Sequence, residues 1–187
     1  MRLLQPYLGR ARSNWYRGTA DAIYHNLFFI EPRQFRDVLI LSGDHIYAMD
    51  YRPMLAFHRE RGADVTVGVQ QVPWDQASRF GVLSTAADGR VTEFHEKPPV
   101  PQSNLASMGI YIFRKETLVR TLRGDNTDGA MVDFGKDVIP YMISHDGVYA
   151  YQFDGYWQDV GTIQSYWEAN MDLLQDPTPL NLHDPDW

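Results

Sequence analysis

The sequence predicts an α/β domain whose mixed, mainly parallel sheet is flanked by helices. The main indication is the apolar run at Val38–Leu41, which stops at Ser42-Gly43 and is followed by a carboxylate, Asp44. An unbroken run of this kind is typical of a strand buried on both faces, as in parallel sheets. The second indication is that strand-like and helix-like segments alternate along the chain. Ligands of such sheets bind beyond the strands' carboxyl ends, so Asp44 lies where chemistry is expected, although an Asp there can equally cap a turn.

Two helices are predicted on either side of the Val38–Leu41 strand. The first has Thr19 as its N-cap, keeps helical spacing as far as Ile30 and ends before Pro32. The second begins at Asp50 and ends at Gly62, a residue type that favours the position after a helix.

The rest of the chain continues the alternation of strands and helices. Ala87-Asp88-Gly89 is a hairpin turn between two β-branched segments, and Pro140 is expected to bend the helix that contains it. Gly161-Thr162 opens the last helix. The predicted strands are 64–69, 106–113, 148–153 and 156–160, the last of which continues the sheet, and 80–84 with 90–94 form an inserted hairpin. The further predicted helices are 115–122 and 134–143.

Composition excludes several classes of function. The chain has 187 residues, 44% of them hydrophobic, and a net charge of −7, which argues against sequence-independent binding of nucleic acid. No apolar run approaches the roughly 20 residues that span a bilayer, so no membrane partner is expected. The absence of cysteine rules out disulfides, thiolate zinc sites and cysteine nucleophiles and is compatible with the cytoplasm, where we expect the protein to work.

Two carboxylates follow predicted strands at strand-to-helix junctions. Asp44 ends one such strand and Asp159 ends another, and parallel topology would bring both to one edge of the sheet. Two carboxylates, completed by phosphate oxygens and water, are a common way to hold Mg²⁺. The alternative is that each aspartate caps its own turn.

An adjacent acid and base form a second candidate site. Glu96-Lys97 follows a predicted strand and precedes Pro98-Pro99, which stiffen the turn. Lysine suits a phosphate as a point charge, and an ionised glutamate accepts hydrogen bonds from sugar hydroxyl groups. The alternative is an ordinary pair of solvated side chains.

Seven blocks of the sequence together resemble bacterial glucose-1-phosphate adenylyltransferase, also called ADP-glucose pyrophosphorylase. They follow the family's order and cover nearly the whole chain. The blocks are Asn14-Trp15-Tyr16-Arg17-Gly18-Thr19-Ala20-Asp21-Ala22, Leu41-Ser42-Gly43-Asp44-His45-Ile46-Tyr47, Phe80-Gly81-Val82, Glu96-Lys97-Pro98, Leu105-Ala106-Ser107-Met108-Gly109-Ile110-Tyr111, Asp133-Phe134-Gly135-Lys136-Asp137 and Tyr156-Trp157-Gln158-Asp159-Val160-Gly161-Thr162.

The resemblance implies a Rossmann-like (GT-A-like) nucleotidyltransferase. The implied reaction transfers the adenylyl group of ATP to glucose-1-phosphate, giving ADP-glucose and pyrophosphate for glycogen synthesis, with Mg²⁺ as cofactor and a homotetrameric assembly. Asp44, Lys97 and Asp159 are the implied catalytic residues, and Asp44 and Asp159 the Mg²⁺ ligands. The implied glucose-1-phosphate site is Tyr16, Gly81, Glu96, Lys97 and Ser107, and the implied nucleotide site is Gly18, Thr19, Ala20 and Asp44.

The sequence also departs from the family's pattern at both ends. Nothing before Tyr16 resembles the family's first strand and Gly-rich phosphate loop, and the chain stops where the family's C-terminal β-helix would begin. We therefore expect a partial catalytic domain at 1–175, incomplete at its N-terminus, and a linker at 176–187, with impaired turnover. The alternatives are a non-catalytic sugar-phosphate-binding or regulatory fragment and a sugar-1-phosphate nucleotidyltransferase that uses UTP or dTTP.

Overall fold

A computed structural model describes residues 3–5, 15–126 and 129–183. Its helices are α1 Thr19–His25, α2 Leu27–Ile30, α3 Tyr51–Glu60, α4 Lys115–Val119, α5 Ile139–His145 and α6 Ile163–Asp172. Its strands are β1 Asp37–Ile40, β2 His45–Tyr47, β3 Val65–Gln71, β4 Gly81–Thr85, β5 Val91–Glu96, β6 Leu105–Arg114, β7 Val148–Gln152 and β8 Trp157–Asp159. A 3₁₀ turn covers Ala77–Arg79, and π-helical turns cover Arg120–Asp125 and Phe134–Val138.

The main sheet has the strand order β5-β4-β6-β3-β7, with β1 also paired to β6. The α/β class and the mixed sheet are confirmed, but the sheet is mainly antiparallel, since β3 with β7 is its one parallel pair among the described strands. β6 is the long central strand. It pairs with β3 along one edge and with both β4 and β1 along the other.

The β1 strand is not buried on both faces as predicted. It runs antiparallel to β6, and Leu39 is 40% exposed while Val38 and Ile40 pack against the core. Its outer edge pairs with no other strand among the described residues. An apolar run cannot distinguish a central parallel strand from an antiparallel edge strand, because the neighbours of a strand come from distant parts of the chain.

Two apolar cores cover the two faces of the main sheet, as expected for helices on both sides. The larger core joins Phe113 of β6 to Phe134, Leu118 of α4 and Met142 of α5. The smaller core contains Met54 of α3 packed with Met108, Ile110 and Trp157. Each side chain of this size contributes about 1.5–3 kcal/mol when fully buried, so the helices are fixed to the sheet mainly by these contacts.

Capping signals in the sequence locate most helix ends. Asp50 accepts a hydrogen bond from the backbone N–H of Arg52 at 2.9 Å and starts α3, and Thr162 with Ser165 forms a capping box that starts α6. The first helix was predicted less well. It is broken at Asn26 into α1 and α2, and its N-cap is Gly18, because the hydroxyl of Thr19 bonds to Asp133 instead.

The strand β8 does not continue the main sheet as predicted. It pairs antiparallel with β2 in a separate two-stranded ribbon, hereafter the carboxylate ribbon, in which His45 faces Asp159. The predicted helix at 134–143 is present as a π-helical turn followed by α5. None of the helices in the described ranges is both long and apolar enough to cross a membrane.

Candidate functional site

A β-bulge in β6 supports the segment that carries Asp44. The register of β6 against β3 shifts so that Met108 and Gly109 have no partner on β3. Gly109 has φ 65°, and a Cβ on it would overlap the hydroxyl of Ser42. The bulge turns two carbonyl groups outward: Ser42 N donates to Gly109 O at 3.1 Å, and His45 Nδ1 lies 2.9 Å from Met108 O. Bulges beside active sites commonly redirect chain in this way.

The carboxylate ribbon brings Asp44 and Asp159 together. His45 pairs with Asp159, and Val160 N donates to Asp44 O at 3.4 Å, so the two aspartates lie at one end of the ribbon. The Asp44 side chain is 72% exposed. One oxygen of Asp159 accepts from Gly161 N at 2.7 Å. Antiparallel pairing of β2 with β8 thus brings the backbones of the two residues near each other, not the shared edge of a parallel sheet that the sequence predicted.

Aromatic side chains hold the ribbon against the sheet. Trp157 is almost buried, with its ring centroid 5.2 Å from that of Phe80 and 5.4 Å from that of His45. His45 Nδ1 lies 2.9 Å from Met108 O and 3.3 Å from Trp157 Nε1, and His45 Nε2 lies 3.6 Å from Asp44 Oδ1. These contacts fix the direction in which the ribbon presents its carboxylates.

A cleft of about 190 Å³ lies beside Asp159. Phe80 and Trp157 line it together with Arg79 and the amide side chains of Gln76 and Gln158. Arg79 has no carboxylate within 4.0 Å in the parts of the chain that the structure describes. The cleft therefore offers several hydrogen-bond donors next to the ribbon.

The Glu96 carboxylate lies in a cradle formed by two glycines. Glu96 is opposite Gly81 across the β4–β5 pair, and a Cβ on Gly81 would lie 2.8 Å from Glu96 Oε2. A Cβ on Gly135 would lie 2.7 Å from the same atom. Both distances are shorter than real Cβ contacts, so a side chain at either position would displace the Glu96 carboxylate from its present place.

Lys97 follows Glu96 in a left-handed backbone conformation. Its φ is 47°, and its N–H donates to Phe80 O at 3.1 Å. Left-handed geometry costs a residue with a Cβ about 1–2 kcal/mol, and such strain is concentrated at functional sites. Half-burial raises the pKa of Glu96 above its ordinary value, and the nearby charge of Lys97 partly offsets that rise.

Two further residues, which the sequence did not indicate as site residues, adjoin this cradle. Asp133 caps the Phe134–Val138 turn by accepting from Gly135 N and Lys136 N, each at 3.0 Å. Tyr111 is buried beside Ser107, and burial raises its pKa to about 12 while a hydrogen bond to Ser107 acts in the opposite direction. The charges of Glu96 and Asp133 both act on Tyr111. An aspartate before Phe-Gly-Lys was visible as a capping signal, but its proximity to Glu96 was not.

The predicted nucleotide residues lie against the Asp133 segment. Thr19 Oγ1 donates to Asp133 Oδ2 at 3.1 Å and accepts from Phe134 N. Gly18 and Ala20 are explained by the protein's own packing, since a Cβ on Gly18 would overlap Val132 O and Ala20 is fully buried. Their small size is thus not by itself a sign of a nucleotide ring.

Tyr16 is attached to the first helix. Its hydroxyl accepts from Asn26 Nδ2 at 2.9 Å and donates to Leu4 O at 3.4 Å, and its ring contacts that of His25. These contacts place Tyr16 at the N-terminal side of α1. The hydrogen bonds join it to that segment and not to the Glu96 cradle.

Replacing Glu96 with glutamine is expected to stabilise the ligand-free protein at neutral pH. A raised folded-state pKa means that stability is fully present below the unfolded pKa and declines as pH rises through the folded pKa. Glu96→Gln removes this decline, so its melting temperature should exceed that of the wild type near pH 7.5 and match it near pH 4. Thermal melts at both pH values measure this. Glu93→Gln, on the exposed side of the same strand, is the control, and an equal gain in both variants would contradict the expectation.

The residues present fit a magnesium ion that takes some of its ligands from the phosphate groups of a bound molecule. The described residues contain no group of three or more His, Asp or Glu side chains that could enclose a metal. Mg²⁺ is commonly held by one or two carboxylates together with phosphate oxygens and water. Asp44 is exposed, and one oxygen of Asp159 remains beyond its bond to Gly161, so each would have a carboxylate oxygen free to bind such an ion.

Comparison with known proteins identifies the family of the chain. The family model described as nucleotidyl transferase matches residues 6–176. The chain is 64% identical over 186 residues to a protein of Thermomicrobium roseum, 55% over 187 residues to one of Clostridium botulinum, and 52% over 188 residues to one of Thermotoga neapolitana. Each is named glucose-1-phosphate adenylyltransferase, so the resemblance is confirmed. These matches cover 99% of this chain but only 44%, 48% and 44% of the relatives' lengths.

Proposed function

Since the chain belongs to the nucleotidyl transferase family, we propose that it transfers the adenylyl group of ATP to glucose-1-phosphate as part of a glucose-1-phosphate adenylyltransferase. The products are ADP-glucose, a glucosyl donor for glycogen, and pyrophosphate. The observation that carries the proposal is the Glu96 cradle with Lys97 beside it. The same chain places Asp44 and Asp159 at one end of the carboxylate ribbon. With ATP and a sugar phosphate as substrates, the protein works in the cytoplasm.

The sugar phosphate binds at Glu96 and Lys97. The Glu96 carboxylate accepts hydrogen bonds from sugar hydroxyl groups, and the glycines at 81 and 135 let the backbone approach it. The Lys97 ammonium group neutralises the phosphate, as a compact point charge does well. Strand β6 adds Tyr111, on which the Glu96 charge acts, and Ser107, which is hydrogen-bonded to Tyr111. In this arrangement an oxygen of the sugar's phosphate group is positioned to act as the nucleophile.

The chemical step needs no covalent intermediate with the protein. The phosphate oxygen of the sugar attacks the α-phosphorus of ATP, the new P–O bond forms as the bond to the β-phosphate breaks, and pyrophosphate leaves. Positioning and charge neutralisation supply the rate. Asp44 and Asp159 would hold Mg²⁺, and a bound Mg²⁺ neutralises charge that develops on the transferring phosphoryl group.

The nucleotide is assigned to the first helix and the loop before it. Thr19 is exposed and is connected through Asp133 to the cradle, so a base or ribose bound at Gly18-Thr19-Ala20 would adjoin the sugar phosphate. Tyr16 closes the same side through its bond with Asn26. The homotetramer implied by the resemblance remains a prediction.

Lys97→Ala is expected to weaken binding of glucose-1-phosphate by roughly 10–100-fold, because a hydrogen bond to a charged group contributes about 1.5–3 kcal/mol. Titration calorimetry with glucose-1-phosphate measures the change. Lys115→Ala is the matched control, since Lys115 donates to Arg33 O and contacts the Phe35 ring. Unchanged affinity in Lys97→Ala would remove the sugar-phosphate assignment.

The reaction itself is tested with purified chain, glucose-1-phosphate, Mg²⁺ and each of ATP, UTP and dTTP. ADP-glucose formed with ATP is the expected product. A preference for UTP or dTTP would replace the nucleotide in the proposal. Sugar-phosphate binding without any product in this chain would favour a binding or regulatory role over catalysis.

A further inference from the structure

The hydroxyl group of Thr19 is used within the protein. Thr19 Oγ1 donates to Asp133 Oδ2 and accepts from Phe134 N, each at 3.1 Å. A hydroxyl group has one hydrogen to donate, and the Asp133 carboxylate takes it, so none is left for a base or ribose. The side chain that the resemblance links to the nucleotide is thus bonded to residues 132–135, the Asp133 segment, which lie more than a hundred positions away.

The first turn of α1 also depends on the Asp133 segment for its hydrogen bonds. The helix has no side-chain cap, although Thr19 is of a residue type that caps helices well. Ala20 N and Asp21 N instead donate to Val132 O, at 2.9 and 3.0 Å. The start of α1 is therefore fixed to the Asp133 segment by backbone bonds as well as by the Thr19 hydroxyl group.

The other side of the Asp133 segment forms a wall of the Glu96 cradle. Asp133 Oδ1 accepts from Gly135 N at 3.0 Å, and a Cβ on Gly135 would lie 2.7 Å from Glu96 Oε2. The two oxygens of one carboxylate thus connect Thr19 to the glycine that adjoins Glu96. The charge of Asp133 also acts on Glu96 and on Tyr111. A change in the position of Asp133 would therefore alter both the shape and the charge of the cradle.

We propose that Thr19 is a positioning residue of the sugar-phosphate site, which acts through Asp133 and is not a side-chain ligand of the nucleotide. Its hydroxyl group holds the Asp133 carboxylate in the orientation in which the other oxygen keeps Gly135 N beside Glu96. A base or ribose at the same loop would contact backbone there. The inference rests on the function proposed above, because it assigns Thr19 to one of the two substrates of that function.

Thr19→Val removes the hydroxyl group and keeps the branched shape of the side chain. Asp133 Oδ2 then loses its donor, and the N–H of Phe134, a buried residue, loses its acceptor. Glucose-1-phosphate affinity should fall about tenfold, as expected when a hydrogen bond to a charged group is lost. Affinity for ATP with Mg²⁺ should stay within about twofold of the wild type, since no donor to the nucleotide is removed.

Titration calorimetry on the purified full chain, with glucose-1-phosphate and separately with ATP and Mg²⁺, measures the two affinities. Thr19→Ser keeps the hydroxyl group and should bind glucose-1-phosphate as the wild type does. Thr92→Val is the matched control, because the exposed Thr92 hydroxyl donates to Ser84 O within the β4–β5 pair, and this variant should change neither affinity. A loss of ATP affinity in Thr19→Val with unchanged glucose-1-phosphate affinity would overturn the proposal.

A double-mutant cycle tests whether Thr19 acts through Asp133. Asp133→Asn can keep an oxygen for Gly135 N, but its Nδ2 cannot accept the Thr19 hydrogen. Thr19→Val added to Asp133→Asn should weaken glucose-1-phosphate binding by less than about twofold, because the contact is already broken. A full tenfold loss on that background would contradict action through Asp133.

Hydrogen exchange on the wild type provides a test that needs no substitution. Bound glucose-1-phosphate should slow exchange of the Ala20 and Asp21 amides, since both donate to the Asp133 segment that borders the cradle. Exchange that stays unchanged at these amides while glucose-1-phosphate binds would overturn the inference and leave the proposed function in place. A wild type that binds neither substrate would overturn the proposed function and this inference with it.

Discussion

Asp159→Asn is expected to lower ADP-glucose formation by at least about a thousandfold, since removing a metal-binding charge costs several kcal/mol of transition-state stabilisation. The substitution is close to isosteric. The amide oxygen can still accept from Gly161 N, so the ribbon should keep its shape while losing a charge. Asp44→Asn should act in the same direction, because Asp44 is exposed at the same end of the ribbon.

Two measurements separate this effect from a general loss of the site. Single-turnover assays with labelled ATP detect slow product formation, and titration calorimetry measures ATP binding with and without Mg²⁺. In Asp159→Asn the Mg²⁺-dependent part of ATP binding should disappear while glucose-1-phosphate affinity stays within about twofold of the wild type, since Lys97 provides the phosphate contact. Asp154→Asn, in the loop before β8, is the control. A rate in Asp159→Asn equal to that of this control would remove the metal-ligand assignment.

Local signals in the sequence located the helices better than the strand partners. Asp50 and Thr162 mark helix starts through side-chain bonds made within a few residues, so their effect is readable from the sequence. The pairing of β1 with β6 joins residues more than seventy positions apart, and nothing local specifies its direction. The ribbon of β2 and β8 consists of strands three residues long, too short for any periodicity to reveal.

The residues of the candidate site also differ in whether a local sequence signal marks them. Glu96 and Lys97 were recognised because they are adjacent and follow a strand, and Asp44 and Asp159 because each ends a distinct motif. The cradle was not predictable, since Gly81 and Gly135 come from segments more than fifty residues apart that meet at one carboxylate. Tyr111 belongs to one of the seven sequence blocks that resemble the family, but its position in an apolar strand predicts only a core residue.

The contribution of packing to the site can be measured at Phe134, which anchors the segment carrying Asp133 and Gly135. Its ring is buried 5.5 Å from Tyr111 and 5.4 Å from Phe113, centroid to centroid. Phe134→Ala leaves a cavity and is expected to lower the free energy of unfolding by about 3–5 kcal/mol. The melting temperature should fall by roughly 10 °C for a domain of this size.

Phe134→Ala should also weaken glucose-1-phosphate binding at least about tenfold at temperatures where the protein is folded, because Gly135 forms one wall of the Glu96 cradle and moves when its anchor is lost. Phe113→Ala is the matched control: Phe113 is fully buried in the same aromatic cluster, against the rings of Phe134 and Tyr111, but it belongs to β6 and forms no wall of the cradle. It should lose comparable stability and keep its affinity. Phe134→Leu, which refills most of the space, should recover most of both losses. If Phe113→Ala and Phe134→Ala weakened binding equally, the affinity would depend on overall stability, and the Phe134 segment would have no special part in shaping the cradle.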